Sequence, residues 1–358
     1  MTRPPSSAVR LAASALALAA LVLAPFTLPD FLVFQMGLML SYALAILGLN
    51  LLLGYAGQVC LAQGAFFACG AYTTAILTVH AGVPPLVTLP AAAAVTALVG
   101  VIVGLPALRL GGLQLGIVTF GIASLVPQAL LKFPSATGGV SGLSFEPPAA
   151  PAWLPVSQQV WLYFLCLACF GLCALVMAML VGGFVGRTLR ALRDNPLVAE
   201  SLGVDLVRAR LAAFLVSSAF AGLGGGLYAL INAYISPQSF LATRSIDILI
   251  GSIVGGATSL WGALGGAIFV VFVPEWTSEM NPAAGGLIYG LCLLVAMLLF
   301  RDGAAGLART LSAGLSAGAR GRAGTGPAIP APARTGGGDR STQIRRSGPR
   351  PGTIAPGA

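Results

Sequence analysis

The chain has 358 residues, of which 57% are hydrophobic and only 8% are charged. Its mean hydropathy of +0.92 lies outside the range of soluble globular domains, which excludes a water-soluble enzyme or binding module. The formal net charge of +9 comes mainly from residues 303–358, where eight arginines stand against one aspartate. These features indicate a polytopic membrane protein with a basic tail.

Apolar runs long enough to cross a hydrocarbon core of roughly 30 Å recur along the first 300 residues. Backbone polar groups in lipid must be satisfied within the segment, which favours helices. The predicted spans are 11–29, 32–53, 59–80, 86–108, 113–131, 158–182, 210–232 and 284–300. Together with an interrupted stretch at 245–273, they predict an all-α polytopic membrane protein with nine or ten membrane-crossing or re-entrant helices.

The distribution of arginine and lysine predicts the orientation of these spans, because both residues favour cytoplasmic span ends. With Arg3 and Arg10 inside, the N- and C-termini are cytoplasmic and the proline-rich loop 132–157 lies outside. This parity requires 245–273 to enter from outside and return there, as two short spans or a re-entrant pair. Its six glycines fit a wall of the substrate path, or close helix packing through small residues, and the two interpretations are compatible.

The sequence divides into an N-terminal span at 1–30, a transmembrane domain at 31–302 and a tail at 303–358. The tail consists mostly of Gly, Ala, Pro, Ser, Thr and Arg, so we predict a disordered, basic cytoplasmic segment. Its charge favours attraction to anionic lipid headgroups in the bilayer, and no nucleic-acid partner is expected from charge so scattered. The first apolar run resembles a secretory signal, but its length favours an uncleaved span.

No group of side chains suggests catalysis, a metal or a cofactor. The six cysteines lie in apolar segments, and although Cys166, Cys169 and Cys173 share a helix face, no His or carboxylate accompanies them. We interpret them as small hydrophobic residues. The single histidine, His80, follows a span at its predicted outer end. Because the sequence has no GxxxxGK[ST] phosphate loop, we do not expect the chain to hydrolyse ATP itself.

Carboxylates bear on the energy source, because an ion-coupled carrier usually keeps an ionisable residue inside the membrane. Only Asp247 lies near a hydrophobic interior, and Arg244, three residues earlier, could pair with it at the membrane interface. Ion coupling therefore has little support, and the sequence points to an energy source outside this chain.

Arg187–Val204, which we call the polar segment, is the one polar island among the apolar spans. Its basic residues are Arg187, Arg190 and Arg193. A short amphipathic helix is predicted to follow, with Pro196 in its first turn, Asp194 or Asn195 as its cap and Gly203 at its end. Its apolar stripe consists of Leu197, Val198 and Leu202. Such a helix can dock in a groove on a partner protein, and an inside-positive loop without a partner is the alternative.

Glycine-rich blocks along the chain carry a family resemblance. The run LGLNLLLGYAGQVCLAQGAFFACGAY (Leu47–Tyr72) resembles the signature of the membrane permeases of branched-chain amino-acid ABC importers, specifically the M-type subunit. Further blocks that match in order are Gly112–Ala123, Thr137–Ser144, Gly186–Val204, Ser245–Ala267 and Gly285–Leu307. The resemblance runs from about residue 35 to about residue 307.

The resemblance implies a subunit of the bacterial inner membrane that moves branched-chain or related hydrophobic amino acids into the cytoplasm by alternating access. The implied partners are a second, homologous permease, two ATP-binding subunits and a periplasmic or extracellular substrate-binding protein. The polar segment would be the loop that couples to an ATPase, through Arg187, Arg190, Arg193, Pro196, Glu200, Leu202 and Gly203. Candidate residues lining the substrate path are Asn50, Gln58, Gln63, Thr137, Gly138 and Gly139.

The sequence departs from the family pattern at three places. Cys60 stands where serine is common, Ala62 stands where glycine is frequent, and Asn195-Pro196 replaces a more usual acidic pair. For Asn50, an interhelical hydrogen bond is an alternative to a role in the path. Two rival functions also remain: an ABC permease for sugars or nucleosides, and a secondary carrier that works without ATP-binding partners.

Overall fold

A computed structural model gives the fold. It describes residues 19–107, 112–150, 157–280 and 285–299. Within these ranges the chain is mostly helical, and seven helices are long and apolar enough to cross a membrane. A helical, multi-pass membrane fold is therefore confirmed, whereas the predicted count of nine or ten crossing elements is not. The predicted tail at 303–358 and the first part of the span predicted at 11–29 lie outside the described residues.

The described elements agree closely with most of the predicted spans. Apart from a one-turn helix at Pro134–Thr137, the helices are α1 (Asp30–Asn50), α2 (Gln63–Ala81), α3 (Pro85–Ala107), α4 (Gly112–Lys132), α5 (Gln158–Gly182), α6 (Phe184–Asp194), α7 (Pro196–Ser201), α8 (Leu206–Asn232), α9 (Thr243–Gly255), α10 (Leu260–Met280) and α11 (Gly285–Leu299). Two short strands, β1 (Leu143–Ser144) and β2 (Tyr234–Ile235), pair antiparallel. Residues 19–27 are also helical. We call the two ends of the bundle the Asp30 end and the Arg193 end.

Helices α1 and α8 form the centre of the bundle. In the most apolar stretch of α1, 83% of the residues are buried. The corresponding share is 72% in α8 and only 22% in α5. Helix α8 packs against α1, α2 and α3, and α1 also packs against α5 and α10. Because α5 exposes most of its apolar surface, its outer face suits contact with lipid.

Glycines bring α2 and α8 together at backbone distance. A Cβ atom on Gly225 would lie 1.9 Å from the carbonyl oxygen of Phe67, and one on Gly70 would lie 2.1 Å from that of Gly222. Neither position has room for a side chain. Such approaches through small residues are a common way for membrane helices to associate, since lipid supplies no hydrophobic drive between them.

The interrupted stretch at 245–273 forms α9 and α10, which separate at residues 256–259. Helix α9 has 13 residues, fewer than the roughly 20 that a full crossing needs, whereas α10 has 21. A Cβ on Gly255 would lie 1.9 Å from the carbonyl oxygen of Gly262, and one on Gly266 would lie 1.9 Å from that of Gly251. Close packing through small residues is therefore confirmed, and the role of this stretch as a path wall stays a prediction.

Helix α9 begins beside the middle of α1. The guanidinium carbon of Arg244 lies 6.0 Å from the ring centroid of Tyr42, and Tyr42 is about 18 Å along α1 from Asp30 at about 1.5 Å per residue. Residues 233–242 carry the chain there from the end of α8 with only a short strand and a 3-10 turn. Non-helical backbone at such depth needs cover from protein or contact with water.

Candidate functional site

Between α1 and α2 the chain turns back into the bundle. Helix α1 continues into a π-helical turn, Leu51–Tyr55. Such turns are rare in proteins, and those that occur are often found at functional sites. Residues 56–62, which we call the re-entrant segment, follow without regular structure, and Gly57 has a φ of +67°. The span predicted at 59–80 therefore begins only at Gln63, because a left-handed residue stops the helix and the next helix restarts inside the bundle.

The re-entrant segment is buried or half-buried except at Gly57, which is exposed, and its backbone is partly satisfied by neighbouring elements. Its Cys60 is fully buried. The backbone N–H of Gln58 donates to the carbonyl oxygen of Leu52 at 2.9 Å, and that of Leu61 donates to Thr119 Oγ1 in α4 at 2.9 Å. Protein cover of this kind is the condition on which non-helical backbone survives at membrane depth.

Gln63 lies at the start of α2 and is fully buried. Its Nε2 donates to the carbonyl oxygen of Ala45 at 3.1 Å, to that of Ser217 at 3.3 Å and to Ser217 Oγ at 3.2 Å. One amide therefore joins α2 to α1 and α8. A donor used in this way contributes to packing of the three helices.

Asn50, the last residue of α1, is also buried. Its Oδ1 accepts a hydrogen bond from Ser252 Oγ of α9 at 2.6 Å, and its Nδ2 donates to the carbonyl oxygen of Ser259 at 3.4 Å. The interhelical hydrogen bond that was the alternative interpretation is therefore present. Asn50 thereby holds the end of α1 to both α9 and the break that follows it.

Gln58 differs from these two residues because its side chain is incompletely paired. The residue is 8% exposed, and its Oε1 has no hydrogen-bond partner within the described part of the chain. A buried amide oxygen without a partner costs free energy unless water or a ligand supplies a donor. Unlike Asn50 and Gln63, Gln58 therefore has a buried side-chain oxygen that can accept a hydrogen bond from water or a ligand.

Thr137, Gly138 and Gly139 form a tight turn at the Asp30 end. The hydroxyl of Thr137 donates to the carbonyl oxygens of Leu130 and Phe133, at 2.7 and 2.9 Å. Gly138 and Gly139 have φ angles of +72° and +57°, which glycine adopts without strain. This turn lies beside the end of α2, about 25 Å from its start at about 1.5 Å per residue. The structure therefore does not bring it together with Gln58 and Gln63.

The polar segment forms the two helices α6 and α7 at the Arg193 end. Asn195 caps α7, since its side chain accepts a hydrogen bond from the backbone N–H of Val198 at 3.3 Å, and Pro196 occupies the first turn. Gly203 follows the helix with a φ of +83°. The predicted short helix is confirmed, with Asn195 rather than Asp194 as its cap.

The apolar stripe of α7 is open to its surroundings. Leu197 and Leu202 are each 77% exposed, and Val198 is 52% exposed. Glu200 is also exposed, whereas Ala199 is buried against the rest of the protein. Grouped apolar side chains of this kind are typical of docking surfaces, and the docking of α7 on a partner stays a prediction.

Arg193 connects the polar segment to the centre of the bundle. Its guanidinium donates to the carbonyl oxygen of Gly54 in the π-helical turn. On its other side, that turn touches the break between α9 and α10, where a Cβ on Gly54 would lie 2.0 Å from the carbonyl oxygen of Ala257. Arg190 instead donates to the carbonyl oxygen of Gly186 within α6 at 2.9 Å, and Arg187 is exposed.

Residues 31–300 match the family described as the permease component of branched-chain amino acid transport systems. The chain belongs to this family. The match covers α1 to α11 and leaves out the basic tail. The resemblance to the M-type subunit is confirmed by relatives that carry its name.

Curated relatives of this permease include two LivM proteins. The LivM permease of the high-affinity branched-chain amino acid transport system of Salmonella typhimurium is 32% identical over 283 residues, which are 73% of this chain and 66% of that protein. LivM of Escherichia coli K12 is 32% identical over 287 residues, 74% of this chain and 67% of that protein. The chain thus spans about two thirds of their length.

A more distant relative is the probable branched-chain amino acid permease LivH of Methanocaldococcus jannaschii. It is 27% identical over 267 residues, which are 66% of this chain and 79% of that protein. No solved structure matches this permease.

A cavity of about 380 Å³ lies between α1, α8, α9, α10 and α11 of this permease. It contains Arg244 and Asp247, which the sequence suggested as a pair at the membrane interface but which lie beside the middle of α1. Sequence reasoning passed over this site because it weighed Asp247 only as a coupling residue for ions. The isolation of one carboxylate in an apolar stretch was the signal that could have identified it.

The cysteines of this permease are dispersed. All six are free, and within the described ranges no three His, Cys, Asp or Glu residues group together as a metal site. Cys60, Cys166 and Cys173 are buried. His80 lies at the Asp30 end, where its Nε2 is 3.1 Å from the carbonyl oxygen of Ala136.

Proposed function

We propose that this permease is the M-type subunit of an ABC importer that moves branched-chain or related hydrophobic amino acids into the cytoplasm. The match of residues 31–300 to the permease family, with 32% identity to two LivM proteins, carries this proposal. The seven candidate membrane spans fit a subunit that forms the passage. In this proposal the chain has no ATPase site of its own, and its energy comes from ATP-binding subunits.

The complete importer in this proposal contains a second, homologous permease, two ATP-binding subunits and a periplasmic or extracellular substrate-binding protein. It lies in the bacterial inner membrane with both termini of this chain in the cytoplasm. The arginines of α6 and of the neighbouring α8 start support that orientation, because positive side chains favour the cytoplasmic side. The Asp30 end then faces the binding protein and the Arg193 end faces the ATPases.

The polar segment is the coupling element in this mechanism. The exposed Leu197 and Leu202 dock in a groove of an ATP-binding subunit, with Glu200 at the edge of the contact. Nucleotide binding drives transport only if it favours one of the two permease states. Arg193 supplies a direct route for that preference, because it joins the polar segment to the π-helical turn and so to the break between α9 and α10.

The candidate path residues have separable roles in this proposal. Asn50 and Gln63 use their polar groups to hold helices together around the re-entrant segment. Gln58 keeps a buried acceptor that a passing ammonium group or a water molecule can use. The turn at Thr137, Gly138 and Gly139 shapes the outer mouth.

Replacing Gln58 by Leu is expected to lower uptake severalfold without lowering thermal stability, because the change removes an unsatisfied buried polar group rather than a made hydrogen bond. Replacing Gln63 by Leu is expected to lower stability as well, by about 0.6–2 kcal/mol, since its interhelical hydrogen bonds are lost. Uptake into proteoliposomes and thermal unfolding of the same preparations measure both effects. Unchanged uptake in the Gln58 variant would remove this residue from the path.

The test of the proposed function is co-purification of this permease from native membrane, with identification of its companions and assay of their ATPase activity. We expect a second permease and ATP-binding subunits, and an ATPase rate that rises when leucine-loaded binding protein is added. If the ATPase rate rose with a sugar or a nucleoside instead of leucine, the importer would stand but its substrate class would change to that compound. A chain that transports when purified alone would contradict the importer and indicate a secondary carrier.

A further inference from the structure

The cavity beside α9 combines charged and aromatic side chains in an otherwise apolar region. Its polar lining residues are Tyr42, Tyr228, Arg244, Asp247, Glu275 and Tyr289. The rest of its lining is aliphatic and comes mainly from α1 and α10. At about 380 Å³ it falls within the range of roughly 300–1,000 Å³ that is common for small-molecule sites.

The two charges in this cavity are close but not fully engaged with each other. A terminal guanidinium nitrogen of Arg244 lies 3.9 Å from a carboxylate oxygen of Asp247, which is longer than a hydrogen bond. The Nε of Arg244 donates to the carbonyl oxygen of Ser239 at 3.1 Å, which fixes the direction of the side chain. Arg244 therefore keeps terminal N–H groups, and Asp247 keeps carboxylate oxygens, that can bind a ligand.

The depth of the pair in the bundle limits what it can face. Arg244 lies over the ring of Tyr42, near the middle of α1, yet the side chains of Arg244 and Asp247 remain 38% and 26% exposed. Charged groups at that depth almost always face a water-filled cavity or another protein surface, because exposure to hydrocarbon is costly. The open side of this cavity is therefore expected to face water or protein rather than lipid.

A hydroxyl group supports the same conclusion independently. The Oη atom of Tyr289 in α11 is buried and has no hydrogen-bond partner among the described residues. It belongs to the lining of this cavity together with Arg244 and Asp247. A buried hydroxyl without a partner is costly, so a group that binds in the cavity gains a ready donor and acceptor.

We propose that this cavity binds the zwitterionic head of an α-amino acid, with Arg244 on its carboxylate and Asp247 on its ammonium group. This inference rests on the proposed function and assigns its substrate contact. The guanidinium fork matches a carboxylate in geometry and charge. Glu275, in the last two turns of α10, adds a second carboxylate on the Asp30 side, and Val270 and Val271 provide an apolar wall for the side chain of the substrate.

The opposite charges also explain selectivity against simpler ligands. An amine lacks the group that Arg244 binds, and an α-keto acid lacks the group that Asp247 binds. Either ligand would leave one of the two charged side chains without a group of the ligand to bind. A site with buried polar groups discriminates strongly against a ligand that cannot pair them. Branched aliphatic amino acids satisfy both charges and fill the apolar part.

The test uses the complete importer in proteoliposomes, loaded with leucine through its binding protein. We expect the double variant Arg244→Gln/Asp247→Asn to assemble with its companions and keep most of its thermal stability, because both charges of the pair are removed together and only the hydrogen bond to Ser239 is lost. The leucine uptake of the double variant should fall by about 100-fold, and the uptake of each single variant should fall at least as much. A matched control is Asp205→Asn/Arg208→Gln, an ion pair of the same spacing at the Arg193 end, which should transport as the wild type does.

Three outcomes would overturn the inference. A double variant with wild-type uptake would show that the pair is only an internal ion pair. A double variant that loses its second permease would show that the cavity is a subunit contact. A wild-type importer that takes up no amino acid would refute the proposed function and, with it, this assignment. If the wild-type importer takes up leucine normally, either of the first two outcomes refutes the assignment alone.

Discussion

Replacing Leu197 and Leu202 together by Asn is expected to reduce leucine uptake at least tenfold and to release the ATP-binding subunits during purification. Both side chains are 77% exposed; Leu197 lies in α7 and Leu202 directly follows it. Fully burying a leucine side chain contributes about 1.5–3 kcal/mol, so its loss from an interface lowers affinity by about tenfold or more. The measurement is the ratio of ATP-binding subunit to permease after affinity purification, together with uptake in proteoliposomes.

The matched control for this variant is Val87→Asn. Val87 is 60% exposed at the start of α3, at the Asp30 end, so an exposed apolar side chain is replaced by the same residue far from α7. The control should retain its companions and its uptake. If the α7 variant also retained both, the polar segment would be an inside-positive loop without a partner, and the docking assignment would fail.

Replacing Gly225 by Ala is expected to destabilise the permease by about 1–3 kcal/mol or more, which is the usual cost of overpacking a close contact. The added Cβ would lie 1.9 Å from the carbonyl oxygen of Phe67, so α2 and α8 would have to separate. We expect a lower midpoint of thermal unfolding in detergent and a smaller monodisperse fraction. Reduced uptake should follow, since α8 is one of the two central helices.

Gly121→Ala is the matched control for this substitution. Gly121 lies in α4 with nothing within 4 Å of its would-be Cβ. Because alanine favours a helix more than glycine does, this variant should be as stable as the wild type or slightly more stable. Equal stability of the Gly225 and Gly121 variants would mean that the backbone contact between α2 and α8 contributes little.

Local chemistry explains most of what the sequence predicted. The span at 158–182 and helix α5 have the same bounds, because a long apolar run there ends in polar residues on one side and glycine on the other. The sequence narrowed the cap of α7 to Asp194 or Asn195, because Pro196 suits the first turn of a helix, and the structure has Asn195. These features depend on residues within one or two turns of each other.

Features that depend on distant residues could not be predicted in the same way. Leu61 lies outside a helix, and its backbone N–H donates to Thr119, 58 residues later. Arg193 is joined to Gly54 across 139 residues. The sequence showed that Arg244 and Asp247 are close, but not that residues 233–242 carry them to the middle of the bundle. Hydropathy gives run lengths, and it does not give the depth at which a short helix begins.

The glycine contact between α9 and α10 has a consequence for movement. Gly255 meets Gly262 and Gly251 meets Gly266 backbone to backbone, so backbone makes most of this contact, with the side chain of Val270 beside Gly251. Shear between packed helices normally stays small because interlocked side chains keep their rotamers. A contact made mostly by backbone weakens that restriction, and we expect α9 to slide along α10 by small steps while both helices stay intact. Since Asn50 holds α9 to the end of α1, such a step would carry the π-helical turn with it.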